Sequence, residues 1–234
     1  MEIAIQSLLE GAGRAKGAVA VIDVFRAFTT AAMALANGAR RIIMVGTVEE
    51  ALALRKSGVG QVCMGEVGGR APEGFDFGNS PFEIRSVDFT ETTIIQRTSA
   101  GTQGIVQAAK RAERLYAASL VTAEATVRAI RAAALDHVTL VAMGNNGQSR
   151  ADEDEICAIH LRNRLQGRAS DPDAVRALIR AGGEAARFFD PARPYLHPED
   201  VEIALDIDRY DLAIEVSIEN GRPVGRAALP ASLS

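Results

Sequence analysis

Cysteine is scarce in the 234 residues, and tryptophan is absent. The two cysteines, Cys63 and Cys157, lie far apart, and neither belongs to a C-x-x-C pair. This pattern indicates neither a disulfide framework nor a zinc site. We interpret both cysteines as buried thiols.

Excess positive charge and long apolar runs are also missing. Lys and Arg number 26 against 30 Asp and Glu, so the formal net charge is −4. No basic stripe interleaved with aromatic residues is present, and we therefore expect no nucleic acid and no membrane surface as a partner. No apolar run approaches the ~20 residues that cross a bilayer, and the first ten residues do not have the pattern of a signal peptide. These features predict a cytoplasmic protein.

Strand and helix patterns alternate along most of the chain, which is typical of a mainly parallel sheet covered by helices. The sequence therefore predicts an α/β fold, a three-layer α/β/α sandwich with a mainly parallel or mixed sheet. We expect one domain over residues 1–234, with a small subdomain over 170–234 as an open possibility. Between the first two strands, residues 11–17 are expected to form a basic, glycine-containing loop.

The segment V-I-D-V-F-R-A-F-T-T, Val21 to Thr30, is predicted to end a buried strand and begin a helix. Asp23 is its first charge, and a carboxylate at the end of a buried strand is costly unless it is paired, coordinated or open to a cleft. Arg26 follows three residues later, one helical turn away, and Thr29 and Thr30 add hydroxyls. Two interpretations stay open: an active site, or a helix cap in which Asp23 pairs with Arg26 structurally.

A glycine-rich segment, Gly65 to Pro81, contains five glycines and two prolines, too many for a regular element. Loops of this length in compact domains are usually functional or disordered. Glu66 lies at the start of this loop, and Asn79 and Ser80 lie near its end. The sequence S-P-F-E is a capping box that predicts a short helix whose N-terminus faces the loop.

The segment R-T-S-A-G-T, Arg97 to Thr102, joins a predicted strand to a helix. Backbone N–H groups, the helix dipole and a guanidinium can converge there on a phosphate. The Walker spacing is absent, so this is not a P-loop. A tight turn capped by a hydroxyl is the alternative interpretation.

A third polar segment, the acidic run Asp152 to Glu155, follows another predicted strand. Acidic residues at a helix start complement the helix dipole, and a solvated turn is the usual explanation of such a run. Because the run lies near the carboxyl end of a strand, where open α/β sheets bind ligands, it can instead supply metal ligands.

Five segments in one order, V-I-D-V-F-R-A-F-T-T, G-E-V-G-G, G-F-D-F-G-N-S-P, R-T-S-A-G-T and S-R-A-D-E-D-E-I-C-A, resemble the 2-phosphosulfolactate phosphatase family. The resemblance covers nearly the whole chain. It implies Mg²⁺ dependence and hydrolysis of 2-phospho-3-sulfolactate to 3-sulfolactate and phosphate, on a route to coenzyme M or related sulfonates. The chain departs from the family pattern at Phe28, and at Ala100, where an amide side chain is replaced. These departures leave the identity of the ester open.

On this resemblance, the small anionic ester would be neutralised by a metal and by arginines. Mg²⁺ prefers oxygen ligands, and the predicted ligands are Asp23, Glu66 and Asp154. The predicted catalytic residues are Asp23, Arg26, Glu66, Arg97 and Glu153, with the arginines as bidentate clamps and Glu153 or Glu66 as the base. The predicted substrate-binding residues are Thr29, Thr30, Asn79, Ser80, Thr98, Gly101 and Thr102.

Several alternatives remain open. A D-x-D nucleophile motif is absent at Asp23, which favours direct attack by water over a phosphoenzyme. The chain can also be a phosphatase for another small phosphorylated hydroxy acid, or a non-catalytic binder of anionic metabolites. A homodimer is one possible assembly.

Overall fold

A computed structural model describes residues 1–228 and shows one nine-stranded sheet with helices on both of its faces. The strands are β1 (Glu2–Ser7), β2 (Gly17–Ile22), β3 (Arg41–Met44), β4 (Val62–Gly65), β5 (Thr93–Arg97), β6 (Ala112–Ala118), β7 (His137–Ala142), β8 (Ala213–Glu219) and β9 (Arg222–Ala228). The helices are α1 (Leu8–Arg14), α2 (Ala27–Ala36), α3 (Val48–Lys56), α4 (Pro81–Ile84), α5 (Gly101–Ala108), α6 (Ala123–Ala132), α7 (Asp152–Leu165), α8 (Pro172–Arg180), α9 (Gly183–Ala186) and α10 (Pro198–Ala204). The predicted α/β sandwich is confirmed.

The sheet is mixed, with the strand order β1-β7-β2-β6-β8-β9-β3-β5-β4. Strands β1, β7, β2 and β6 pair in parallel, and so do β3, β5 and β4. The C-terminal hairpin β8–β9 lies between these two groups and pairs antiparallel with each of them. Three successive antiparallel pairings (β6–β8, β8–β9 and β9–β3) separate the two parallel groups. The strands of one group therefore run in the direction opposite to those of the other group.

Helices α2 and α5 fill the inner side of the curved sheet. The residues Ala27–Leu35 of α2 are all buried, since Ala, Phe and Met side chains cover its whole surface. They share one apolar cluster with residues from both parallel groups, among them Val21 of β2 and Ile94 of β5. Helices α6, α7 and α8 cover the outer face of the first group, and α3 covers that of the second. The sheet therefore folds around α2 and α5 and brings its two halves together.

Residues 11–17 do not form the loop that their glycines predict, because Leu8–Arg14 is helical. Glycine lowers helix propensity, but packing against neighbouring elements overrides it here. A Cβ on Gly11 would lie 2.9 Å from Cβ of Gln6, so the close approach of α1 to β1 requires a glycine.

Both cysteines are buried free thiols, as predicted. Within residues 1–228, none of the helices combines the length and the apolar character that crossing a membrane requires.

His160 on α7 generates a prediction about stability. It is 1% exposed, and its Nδ1 lies 2.7 Å from the Ser170 hydroxyl. Burial, and secondarily the Arg164 guanidinium, lower the pKa of His160. Because the unfolded chain then binds a proton more readily than the folded chain, the free energy of unfolding falls as the pH drops below about 6.5.

His160→Asn keeps a polar partner for Ser170 but does not titrate. In urea denaturation between about pH 7.5 and 5, the variant should therefore lose less stability than the wild type. Equal losses in the two proteins would show that His160 does not contribute to the acid sensitivity.

Candidate active site

A cavity of about 370 Å³ opens where the loops after β2, β4, β5 and β7 meet. It is lined by Asp23, Phe25, Arg26, Glu66, Gly68, Gly69, Asn79, Ser99, Ala100, Gly144, Asn145, Asn146, Ser149, Glu184, Arg187, Phe188, Tyr195 and Leu196. Most of this lining is polar, which suits a small charged ligand.

Asp23 connects the loop after β2 to the start of α5. Its Oδ1 accepts a hydrogen bond from Ala27 N (2.9 Å), and its Oδ2 accepts one from Gly101 N (2.8 Å). Burial raises the pKa of Asp23 to about 6; the two N–H groups oppose this shift, and the nearby Glu66 carboxylate adds to it. The ends of β2 and β5 therefore meet at one carboxylate, although they belong to oppositely directed groups.

Glu66 connects the loop after β4 to the loop after β5. Its Oε1 accepts from Ser99 N (2.5 Å), and its Oε2 accepts from Gly69 N (2.7 Å) and from the Ser99 hydroxyl (3.1 Å). Arg97 donates from Nη1 to the Glu66 carbonyl (2.8 Å). Arg97 lies outside the cavity lining, so in this structure it supports the Glu66 backbone.

Asp154 lies behind the cavity wall. Its Oδ1 accepts from Val24 N and its Oδ2 from Gly144 N, both at 2.8 Å, so it joins the ends of β2 and β7. Burial, followed by the Asp23 carboxylate, raises the pKa of Asp154 well above its usual value.

The adjacent Glu153 is also outside the cavity lining and is 4% exposed. Burial and then Asp154 raise its pKa well above the usual range. The interpretation of the acidic run as a solvated turn therefore fails for Glu153 and Asp154.

Arg26 lines the cavity but is held by a residue that the sequence analysis missed. Its Nη1 donates to Asp200 Oδ2 at 2.7 Å, and both side chains are almost fully buried. Arg26 also precedes the first residue of α2, so it is not on the helical turn that the spacing from Asp23 suggested. The alternative of a structural helix cap holds in part: Asp23 accepts from the N–H of Ala27, the first residue of α2, but the ion-pair partner of Arg26 is Asp200 and not Asp23.

Among the seven predicted substrate-binding residues, Asn79 lines the cavity. It is 5% exposed, and its Oδ1 has no hydrogen-bond partner within the described part of the chain. An amide that lines a cavity and has an unused polar atom is suited to contact a ligand.

The other six contact protein groups. Thr29 donates to the Val24 carbonyl, Thr30 to the Arg26 carbonyl, and Ser80 to Asp200. Thr98 and Thr102 each donate a backbone N–H to the other's hydroxyl, at 2.8 and 3.0 Å. Gly101 donates to Asp23. These six residues stabilise the loops and helix starts around the cavity, and their predicted substrate contacts remain predictions.

A second wall of the cavity was also missed. Asn145 Nδ2 donates to Glu184 Oε1 (2.7 Å), Arg187 donates to Asn145 Oδ1 (2.6 Å), and Arg187 pairs with Glu184. The polar strand end M-G-N-N-G contained a signal for Asn145. Glu184 and Arg187 lie about 40 residues further along the chain, and their local sequence pattern does not link them to the site.

The structure brings two of the three predicted metal ligands, Asp23 and Glu66, to the cavity. Across residues 1–228, no group of three or more His, Cys, Asp or Glu side chains is arranged to hold a metal ion by itself. A metal at this cavity would therefore need water or ligand oxygens to complete its coordination.

A family model and several curated relatives that match this chain carry the same description. A family model described as 2-phosphosulpholactate phosphatase matches residues 3–193. A probable 2-phosphosulfolactate phosphatase of Thermotoga petrophila is 43% identical over 170 residues, covering 73% of this chain and 68% of the relative. Proteins with the same description in Bacillus subtilis and Thermotoga maritima are 31% and 41% identical. These alignments cover 77% and 55% of this chain, and 78% and 54% of the respective relatives.

The junction at Gly101 leads to a prediction. A Cβ there would lie 2.8 Å from Ala27 Cβ and 2.9 Å from Asp23 Oδ2, so Gly101→Ala must separate α5 from Asp23. We expect a loss of about 1–3 kcal/mol in the free energy of unfolding.

Gly13→Ala is the matched control, since nothing lies within 4 Å of its added Cβ on α1. This variant should be neutral or up to about 1 kcal/mol more stable, because alanine favours helix. Chemical denaturation compares the two. Equal effects would mean that the junction at Asp23 is not tightly packed.

Proposed function

The chain belongs to the 2-phosphosulfolactate phosphatase family, and we propose that it hydrolyses 2-phospho-3-sulfolactate to 3-sulfolactate and phosphate. The observation that carries this proposal is the cavity itself, which is lined by three carboxylates (Asp23, Glu66 and Glu184), two arginines and the Asn79 amide, whose Oδ1 has no hydrogen-bond partner within residues 1–228. Such a site suits a compact substrate with several negative charges.

The side chains that can donate hydrogen bonds to the substrate lie on two walls of the cavity. Arg26 and Asn79 lie on the side of the loops after β2 and β4, and Arg187 lies on the wall that it forms with Asn145. A phosphate, a sulfonate and a carboxylate on one three-carbon unit need several such groups, and guanidinium binds oxyanions in bidentate fashion. We assign Arg26 to one anionic group and Arg187 to another.

The carboxylate oxygens of Asp23 and Glu66 suit a hard divalent cation. Asp23 and Glu66 are carboxylates with lone pairs beyond those used by backbone N–H groups, and burial together with their mutual repulsion raises the pKa of Asp23. Mg²⁺ needs only one or two carboxylates, because it retains waters and binds substrate phosphate oxygens. Asp23 and Glu66 would hold Mg²⁺, which supplies Lewis-acid polarisation of the phosphoryl group when bound.

The chain's own residues favour attack by water. Both oxygens of Asp23 accept backbone N–H groups, which weakens this carboxylate as a nucleophile. Both oxygens of Glu66 likewise accept hydrogen bonds, from Ser99 N, Gly69 N and the Ser99 hydroxyl, so we assign Glu66 to holding the cation and not to accepting the proton of the water. Glu153, the other candidate for the base, lies outside the cavity lining.

One observation favours a second candidate function. Ala100 lines the cavity at the position where the family motif carries an amide, so one potential ligand contact is missing. A phosphatase for a related phosphorylated hydroxy acid without the sulfonate is therefore the alternative. Phe28 does not contribute to this difference, since it is fully buried in the core between the sheet and α2.

Phosphate release from a panel of esters tests the proposal. The protein, supplied with Mg²⁺, should hydrolyse 2-phospho-3-sulfolactate with a higher kcat/KM than 2-phosphoglycolate or the phosphoglycerates. A preference for a non-sulfonated ester would support the second candidate. Absence of turnover with every ester would contradict both and favour a binding protein.

Asp23→Asn tests the assignment of the carboxylate. Removing its charge should lower Mg²⁺-dependent phosphate release on the order of a hundredfold or more, because this change removes electrostatic stabilisation at the reacting group. Asp206→Asn is the control, since Asp206 forms an exposed pair with Arg209 on the surface. Near-normal turnover by a folded Asp23→Asn protein would place the metal elsewhere.

A further inference from the structure

Asp200 on α10 is a fully buried carboxylate that the proposed chemistry does not use. It lies beyond residue 193, where the match to the family model ends. Burying an ionised carboxylate costs much free energy unless charged or polar partners surround it. Its partners therefore indicate why it is there.

Within residues 1–228, the hydrogen bonds of the Asp200 side chain lead to the cavity wall. Its Oδ2 accepts from Arg26 Nη1 (2.7 Å), and its Oδ1 accepts from the Ser80 hydroxyl (2.7 Å) and from Phe82 N (3.0 Å). Ser80 is the N-cap of α4 and Phe82 lies in its first turn, directly after the cavity residue Asn79. One carboxylate thus holds both Arg26 and the turn that carries Asn79.

Asp200 makes the closest polar contact of the Arg26 guanidinium. Among the described residues, the carbonyl groups of Tyr195 and Gly69 also accept from it, at 3.3 and 3.5 Å, and the Phe188 ring centroid lies 5.7 Å away. A guanidinium has more N–H donors than these contacts occupy, so Arg26 retains donors for a ligand. Its orientation depends mainly on the charge-assisted bond to Asp200.

We propose that Asp200 is a positioning residue that orients Arg26 and the Asn79 turn for anion binding in the cavity. This inference rests on the anion-binding role proposed for Arg26. It adds to the site a residue of α10, from the C-terminal part of the chain. Asp200 itself contacts no substrate and acts through Arg26 and the Asn79 turn.

Whether Asp200→Asn weakens or tightens anion binding distinguishes a positioning role from a purely electrostatic one. Asp200→Asn removes a negative charge close to the cavity, and Coulomb's law alone predicts tighter binding of an anion. Loss of orientation predicts weaker binding, because a misplaced guanidinium no longer meets the anion. Titration of the full-length protein with inorganic phosphate in the presence of Mg²⁺ measures this sign without requiring turnover.

We expect Asp200→Asn to weaken phosphate binding on the order of tenfold, and to raise KM for 2-phospho-3-sulfolactate more than it lowers kcat. Asp200→Glu, which restores the charge, should recover part of the loss. Glu202→Gln is the matched control on the same helix, since Glu202 pairs with Arg180 at the surface. Its phosphate binding should equal that of the wild type. Unchanged or tighter binding in Asp200→Asn would overturn the proposal.

A double variant keeps the test decisive if Asp200→Asn alone fails to fold. Arg26→Gln with Asp200→Asn leaves no unpaired buried charge, and it should bind phosphate as weakly as Arg26→Gln, within about threefold. A further tenfold loss would overturn the assignment of Arg26 as the main group through which Asp200 acts. If phosphate binding depends on Asp200 but no ester is hydrolysed, positioning stands and the proposed phosphatase function fails.

Discussion

Four buried carboxylates that accept backbone N–H groups or pair with an arginine hold the loops around the cavity. Each joins segments that are distant in sequence: Asp23 binds Gly101, Glu66 binds Ser99, Asp154 binds Val24, and Asp200 binds Arg26. A buried charge without partners would be prohibitively costly, so these contacts strongly favour one arrangement of the loops. The shape of the cavity follows from this requirement, since loops that separated would leave charges unpaired.

The same contacts create the chemical character of the site. Carboxylates that lie close together in a buried region repel each other, and burial together with Glu66 raises the pKa of Asp23 to about 6. A cation between them would relieve this repulsion and also attract an anionic ester. Loop architecture and ligand binding therefore depend on the same side chains, which hold the catalytic groups in place before substrate arrives.

Local sequence patterns predicted the local structure well. The end of strand β2 and the start of helix α2 were predicted from the segment Val21 to Thr30, and the cap at Ser80 was predicted from its capping box. Asp23 and Glu66, which were predicted to act at one site, line the same cavity. Helix α1 was missed, because its glycines lower helix propensity while its packing against β1 and α5 favours a helix.

Long-range partners could not be predicted, because no local pattern encodes them. Asp200 looks like an ordinary acidic residue in the first turn of a helix, yet it pairs with Arg26, 174 residues away. The C-terminal hairpin likewise gives no local sign that it enters the sheet between β6 and β3 and reverses its direction. Arg97 resembled a phosphate clamp by position, but its guanidinium binds the Glu66 carbonyl.

The central claim is that a divalent cation joins Asp23 and Glu66 in this cavity. Anomalous diffraction from crystals soaked in Mn²⁺ and phosphate tests it most directly, because Mn²⁺ replaces Mg²⁺ and its position is visible independently of the protein atoms. The account predicts one strong peak within coordination distance of both carboxylates, with phosphate beside Arg26. A peak at a different group of side chains, with none at Asp23 and Glu66, would contradict it.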